Sequence, residues 1–385
     1  MSAERIIFVP FIHAFGGVER QILGLSRFLH ENGVKHTVVC FNQTIDLASY
    51  AKWPLTVREL TPMRNPAAEG WALHRYLWGA QGRGSPPALL FDLKSAFYAG
   101  MFPTPDFYLH LTDPPSLLPA DISKCAPSFP KIYAAFKRQH CGSLMDSARG
   151  EVVHRINRRG VERALSVIAT SDAIAAELRI VYAVDPKIVR PGAMAPPRSA
   201  FRRSITHKLR ILSVCRLEPN KRVDWMLHAL AILESRAAPL SRTTDWMLDV
   251  VGGGSEERQL QALASQLGIA ERVVFYGAIS DARLEELFAD SALFLMPAAQ
   301  GYGLPALEAL ARGVPVILHR ESGVSEVLSG TLWVAVINGG IDRLAGAINT
   351  MLDRIRDGEI SKSQVPAFPT ESGWAREIST VCQWI

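Results

Sequence analysis

The residues best placed by type and spacing to do chemistry fall in five short segments. Each follows a run of apolar and β-branched residues. Gln300–Arg312 reads QGYGLPALEALAR. Gly301 and Gly303 permit tight turns and close backbone approach to a ligand. Pro305 suits the first turn of a helix, where a missing N–H costs nothing. Such a helix start offers free N–H groups and a positive dipole end, which is an anion site. Glu308, about one turn in, can accept two hydrogen bonds from a ribose diol. A buried Gly-Pro turn with a solvated glutamate is the plainer alternative. Ser213–Asp224 reads SVCRLEPNKRVD and places Arg216 and Lys221 in one loop after a strand. Paired cations at a strand end suit a diphosphate, and an arginine can bind two of its oxygens at once. Solvated surface cations are the ordinary alternative.

Three further segments carry weaker patterns. In VVGGGSEE (Val250–Glu257), Glu257 occupies the third glycine position of a nicotinamide fingerprint, so that class is disfavoured. Gly252, Gly253 and Gly254 instead suggest a backbone contact with a ligand or a helix, or simply a tight turn. In FIHAFGGVER (Phe11–Arg20), Gly16 and Gly17 open a helix and can bring N–H groups to an anion or a second substrate. His13 there is a polar contact or a surface residue. In LHLTDPPS (Leu109–Ser116), His110 and Asp113 end a strand and are candidates for orienting or proton-handling groups. Strand-end capping by Asp113 beside a half-buried His110 is the alternative.

The elements that must position these groups are legible as alternating strands and helices. Strands are expected at Arg5–Val9, Thr37–Phe41, Ala88–Asp92, Phe107–Leu111 and Ser166–Thr170, all nearly continuous apolar runs. A helix from Gly17 to Asn32 follows from Val18, Ile22, Leu25 and Leu29 at helical spacing. Glu19, Arg20, Arg27 and Glu31 take its other face, and Gly33 suits its C-terminal cap. The rhythm breaks at Ala193–Lys208, which has two prolines and four basic residues, then restarts. The second series is Leu209–Cys215, Met247–Gly252, Arg272–Gly277, Leu293–Pro297 and Pro315–Leu318. Two doubly wound α/β domains with right-handed crossovers are therefore expected, facing a cleft at the carboxyl ends of their strands. The expected limits are 1–195 for the first, 196–208 for a linker and 209–370 for the second, with 371–385 returning to the first domain.

Composition supports an ordinary globular chain. Of 385 residues, 48% are apolar and 21% charged, which excludes disorder and fibres. The length suggests two or three domains. The net charge of +5 is modest for a nucleic-acid binder. Five scattered cysteines without a CxxC pair argue against a disulfide framework or structural zinc. The segment MSAERIIFVPF has charges where a signal peptide is apolar, and no run approaches the roughly 18 residues of a membrane span. A cytoplasmic protein is expected. The stretch Lys131–Arg163 holds eight basic residues against three acidic ones. It is either a docking surface for anionic lipid or a solvated helix face.

Taken in order, these segments resemble the GT-B glycosyltransferases, and among them the large retaining family four. That family's GFGLPxxEAxAxGxPVI-like stretch is matched by GYGLPALEALARGVPVI, Gly301 to Ile317. Its RLxxxK loop is matched by Arg216, Leu217 and Lys221, its glycine-rich strand end by Gly252–Gly254, and its GGxE loop by Gly16, Gly17 and Glu19. VIATSDAIAAEL to DPKIVRPGA (Val167–Ala193) is similar to its last N-domain strand and helix. ESGWAREISTVCQWI is similar to the terminal helix that crosses back. The family's first glutamate of a pair is Gln300 here.

The resemblance implies roles residue by residue. Glu308 binds the donor ribose, and Arg216 and Lys221 hold the diphosphate. The backbone of Gly301, Tyr302, Gly303 and Leu304 faces sugar and phosphates, with Gly253 and Gly254 beside them. The backbone near Tyr276 and Gly277 meets the nucleobase. Gly16 and Gly17 line the cleft, and His110 lies near the transferred sugar. The implied activity is retaining transfer of a hexose-type sugar from a nucleotide-diphosphate donor to a saccharide or lipid-linked acceptor in polysaccharide or glycolipid synthesis. No cofactor and no metal is implied. Gln300 removes a negative charge where positive charge develops, so a non-catalytic nucleotide-sugar-binding subunit is a second reading. A sugar-nucleotide epimerase is a third.

Overall fold

A computed structural model describes residues 3–13, 15–60, 65–115, 144–193, 209–236 and 246–385. The chain divides into two compact units, one of Met1–Gly192 with Pro369–Ile385 and one of Ala193–Phe368. The expected linker and the Lys131–Ser143 part of the basic stretch lie outside the described residues.

The first unit is a seven-stranded sheet. Its strands are β1 (Arg5–Phe8), β2 (His36–Cys40), β3 (Val57–Glu59), β4 (Ala88–Phe91), β5 (Phe107–Leu111), β6 (Ser166–Ala169) and β7 (Lys187–Ile188). They are all parallel, in the order β3-β2-β1-β4-β5-β6-β7. The chain therefore reverses its direction of sheet growth between β1 and β4, which in an open parallel sheet is where ligands bind. Helices α1 (Gly17–Glu31), α2 (Pro66–Gly82), α3 (Leu93–Met101), α4 (Leu144–Arg163) and α5 (Asp172–Tyr182) cover it. Ile22, Leu25 and Leu29 of α1 are buried as their spacing requires, and Gly33 follows with φ +68°. The C-terminal helix Glu371–Val381 packs against α1. Its Trp374, Ala375 and Ile378, with Cys382 and Trp384 beyond it, complete one face of this unit's core.

The second unit repeats the plan. Strands β8 (Leu209–Val214), β9 (Trp246–Val251), β10 (Val273–Gly277), β11 (Leu293–Met296), β12 (Val316–His319) and β13 (Val334–Ile337) run parallel in the order β10-β9-β8-β11-β12-β13. The reversal falls between β8 and β11. Helices α6 (Val223–Arg236), α7 (Glu257–Gln266), α8 (Asp281–Asp290) and α9 (Leu304–Ala311) lie between strands, and α10 (Ile341–Arg356) follows β13. Among the described residues no helix is long and apolar enough to cross a membrane.

Several expected strands end one residue early, at Phe8, Cys40, Phe91, Ala169, Val214, Val251 and Met296. The ladder stops where the backbone swings out, with φ +73° at Asp92 and +117° at Gly252. β12 begins at Val316 and not Pro315, because proline has no N–H to donate, although its carbonyl accepts from Phe294 N–H at 2.9 Å. The edge strands β3 and β7 are short, half-exposed and carry no apolar run, whereas the edge strand β13 is the apolar run VAVI, which the expected strands did not include.

Candidate functional site

At the β8/β11 reversal two loops are clamped together. Asn220 Nδ2 donates to the Ala299 carbonyl at 3.1 Å, and Ala299 N–H donates to the Asn220 carbonyl at 2.9 Å. This clamp sets Lys221 beside Gln300, with Nζ donating to Oε1 at 2.6 Å. Gln300 Nε2 lies 3.3 Å from Ser322 Oγ and 3.0 Å from Met296 Sδ. Ser322 Oγ donates to the Tyr302 carbonyl at 2.7 Å. The turn then opens α9 through Gly303, whose φ is +117°. A Cβ on Gly303 would stand 2.6 Å from Met296 Cε and 2.7 Å from both Gln300 Nε2 and Ser322 Oγ. Only glycine meets both the dihedral and the space. Glu308 is half-buried among buried α9 neighbours and lies one turn beyond Leu304 on the same face.

The other sequence-selected residues fall differently. Arg216 is largely exposed, and its guanidinium pairs with Glu218 at 2.7 Å. Gly252 and Gly254 make a close backbone approach to the loop after β8. Side chains there would collide with the Cys215 and Leu217 carbonyl oxygens, so these glycines let the strand end pack against the loop that carries Arg216. Leu217 N–H donates to the Gly253 carbonyl at 2.9 Å, and a Cβ on Gly253 would make only an ordinary contact with Glu257 Oε2 at 3.8 Å. The Tyr302 ring is 5% exposed and belongs to the second unit's core, so only its backbone serves the turn. Tyr276 OH donates to Asp249 at 3.2 Å, and Asp249 takes a two-toothed ion pair from Arg210. The Gly277 carbonyl accepts from Gly252 N–H at 2.8 Å, while space beside Gly277 is open.

A second set of residues escaped the sequence reading. Arg222, with φ +55°, is buried and paired with Glu321, and its guanidinium lies 4.4 Å from the centre of the Trp225 ring. Glu321 also stands 3.3 Å from His319 Nδ1. Burial first, then the Arg222 charge, pushes the His319 imidazole below its ordinary pKa. The Arg222–Glu321 pair ties the loop after β8 to the loop after β12, and Gln300 N–H donates to the Glu321 carbonyl at 3.1 Å. Glu321 closely follows β12, but Arg222 lies beyond the Pro219–Lys221 turn, and no local pattern joins the two.

In the first unit the expectation for His110 is corrected. It lies near the end of β5 as expected, but it is fully buried and not half-buried, against Phe91 at 4.8 Å and Trp374 at 5.8 Å. Neither ring nitrogen has a hydrogen-bond partner, and burial pushes the imidazole down to about 3. Burial thus favours the neutral imidazole. Gly16 N–H is already bonded to the Glu19 carboxylate at 3.0 Å, so an incoming anion would meet a negative group there. Gly17 is exposed, with no neighbour on its Cβ side. His13 is exposed and stacks on Phe11 at 5.3 Å. Asp92, at the β1/β4 reversal, is a second perturbed group in this unit. Burial, then the carboxylates of Asp113 and Glu19, raise its pKa to about 6.

Two family matches cover the chain in succession. Residues 16–191 match the Glycosyl transferase 4-like domain, and residues 198–358 match Glycosyl transferases group 1. The GDP-mannose-dependent alpha-(1-6)-phosphatidylinositol monomannoside mannosyltransferase of Mycolicibacterium smegmatis is 33% identical over 178 residues, 44% of this chain and 45% of that protein. The matched stretch thus spans less than half the length of such curated relatives. The lipopolysaccharide outer core galactosyltransferase WaaB superposes with a TM-score of 0.66 at 18% identity, covering 99% of this chain and 100% of that one. Anabaena Alr3699/HepE in complex with UDP superposes with a TM-score of 0.65 at 17% identity, covering 98% and 95%. The fold is that of the two-domain GT-B proteins. Two family matches in tandem, on a chain whose parallel sheets both reverse order at their first strands, place it plainly: it belongs to the group 1 glycosyltransferases.

Proposed function

We propose that the chain transfers a hexose-type sugar from a nucleotide-diphosphate sugar to an acceptor hydroxyl, retaining the anomeric configuration, in polysaccharide or glycolipid synthesis. The observation that carries this is the Lys221 ammonium held at 2.6 Å by Gln300, at the reversal point of the second sheet and on the turn that opens α9. A fixed cation beside a helix N-terminus matches a leaving diphosphate. In the reaction the bond from the anomeric carbon to the diphosphate breaks and its electron pair leaves with the phosphate oxygen. The acceptor oxygen bonds the anomeric carbon on the face the diphosphate leaves and passes its proton to the departing phosphate oxygen. Lys221, Arg216 and the α9 N-terminus stabilise the departing charge, and Glu308 holds the ribose diol. One such preorganised donor is commonly worth roughly 3–4 kcal/mol of barrier. The donor is a substrate, and neither a resident cofactor nor a metal is assigned. The names of the relatives support this class, since one is a GDP-mannose-dependent mannosyltransferase and HepE was solved with UDP.

A lipid-linked acceptor places the enzyme at the cytoplasmic face of an anionic membrane through Lys131–Arg163. On the described part of α4, Arg155 and Arg158 form pairs with Glu151 and Glu162 one turn away. Sedimentation with anionic liposomes at low salt tests that contact, and its absence removes it from the proposal.

The test of the reaction is sugar transfer from UDP- and GDP-hexoses by the wild type, Lys221→Ala and Glu308→Ala. Both variants lose most turnover while keeping the wild-type melting transition. Normal turnover in both overturns the assignment. The non-catalytic reading, which rests on Gln300, predicts donor binding with no transfer or hydrolysis by the wild type. An epimerase would convert the donor with no acceptor present.

A further inference from the structure

Gln300 stands where the resembled family carries a glutamate, and its surroundings say why an amide is there. Lysine only donates, so the atom 2.6 Å from Lys221 Nζ must be the amide oxygen. That leaves Nε2 pointing the other way, toward Ser322 Oγ at 3.3 Å and Met296 Sδ at 3.0 Å. Both of those can accept. Ser322 is fully buried, and its own proton is committed to the Tyr302 carbonyl at 2.7 Å. The donors run in one direction, from Lys221 to Gln300, from Gln300 to Ser322 and from Ser322 to Tyr302. A carboxylate at position 300 would present a second oxygen to a sulfur and to hydroxyl lone pairs, with no proton between them. Gly303 closes the enclosure, because any side chain there would displace Met296, Gln300 and Ser322 together.

We infer that Gln300 is a positioning residue built into this site: through the one-way relay Lys221–Gln300–Ser322–Tyr302 it fixes the Lys221 ammonium against the turn that opens α9, while adding no negative charge beside a bound diphosphate. Gln300 is then a specified part of the site and not the scar of lost function. The inference rests on the proposed function for its diphosphate, but the relay itself stands on geometry alone.

Two measurements test it. The first is ligand-free thermal unfolding of Gln300→Glu, Ser322→Ala and the double variant. The relay predicts that the Gln300→Glu shift in melting temperature is much smaller in the Ser322→Ala background. Additive shifts overturn the relay. The second is calorimetric binding of UDP, GDP, uridine and guanosine to wild type and Gln300→Glu. The glutamate weakens the diphosphate that wild type binds by about tenfold, as one added charge at contact distance should, and leaves the matching nucleoside unchanged. Equal losses for both mean a merely structural role, and no loss means no role; either result overturns the inference. If wild type binds neither diphosphate, the proposed function fails with the diphosphate half of the inference, and the unfolding cycle alone judges the relay.

Discussion

Lowering the pH should expose the burial of His110 as a measurable loss of stability. The imidazole is fully enclosed in β5, both nitrogens lack partners, and its folded pKa is pushed down to about 3. In the unfolded chain a histidine titrates near ~6.5. A base with a depressed folded pKa contributes its full stability above the unfolded value and loses it as pH falls toward the folded one. At pH 5 the unfolded histidine is protonated by about 30 to 1, which draws the equilibrium toward unfolding by about 2 kcal/mol. The slope approaches about 1.4 kcal/mol per pH unit. Carboxylates titrate in the same window, so the useful quantity is the difference between wild type and His110→Leu. Urea denaturation at pH 8, 7, 6 and 5, followed by near-ultraviolet circular dichroism, gives that difference at each pH. The wild type should lose about 2 kcal/mol relative to the variant between pH 8 and pH 5. Parallel curves would refute the reasoning, because they would mean that the folded protein protonates His110 where it stands.

Other outcomes follow from the same geometry. Gly303→Ala combines a positive φ with three contacts inside van der Waals distance, and should cost about 2–4 kcal/mol in denaturant titration; a change under about 0.5 kcal/mol would contradict the crowding. Asp92 behaves opposite to His110. Its folded pKa is raised to about 6, so stability is lost as pH rises from the unfolded value near ~3.9 through 6. Asp92→Asn should therefore gain about 3 kcal/mol at pH 8 and well under about 1 kcal/mol at pH 4. A gain that is equal at both pH values would point to relief of backbone strain at φ +73° and not to charge.

Much of the fold was legible because buried parallel strands must be continuous apolar runs. Phe107–Leu111 was placed to the residue, and α1 followed from Ile22, Leu25 and Leu29. β3 and β7 were not legible, because an edge strand of two or three half-exposed residues has no such signature. In the site, the residue types at Gly301–Glu308 and Lys221 were informative, but their meeting spans 79 positions from Lys221 to Gln300. No local pattern reports a contact of that range. The Arg222–Glu321 pair, 99 positions apart, escaped for the same reason. The glycines of Gly252–Gly254 announced a close approach, yet what they approach is the Cys215–Leu217 backbone. His110 misled because a histidine near a strand end suggests an exposed edge, whereas this strand is covered on both faces.

The return of Pro369–Ile385 to the first unit bears on how the polypeptide is made. Synthesis runs from the N-terminus, so nearly half of the molecule is translated between Gly192 and the residues that finish the earlier unit. Until Trp374, Ile378 and Trp384 leave the ribosome, the flank of α1 and the ring of His110 lack their cover. The half that is born first is thus the last to mature. A nascent chain halted before position 369 should hold a finished second lobe beside an unfinished, chaperone-prone first one.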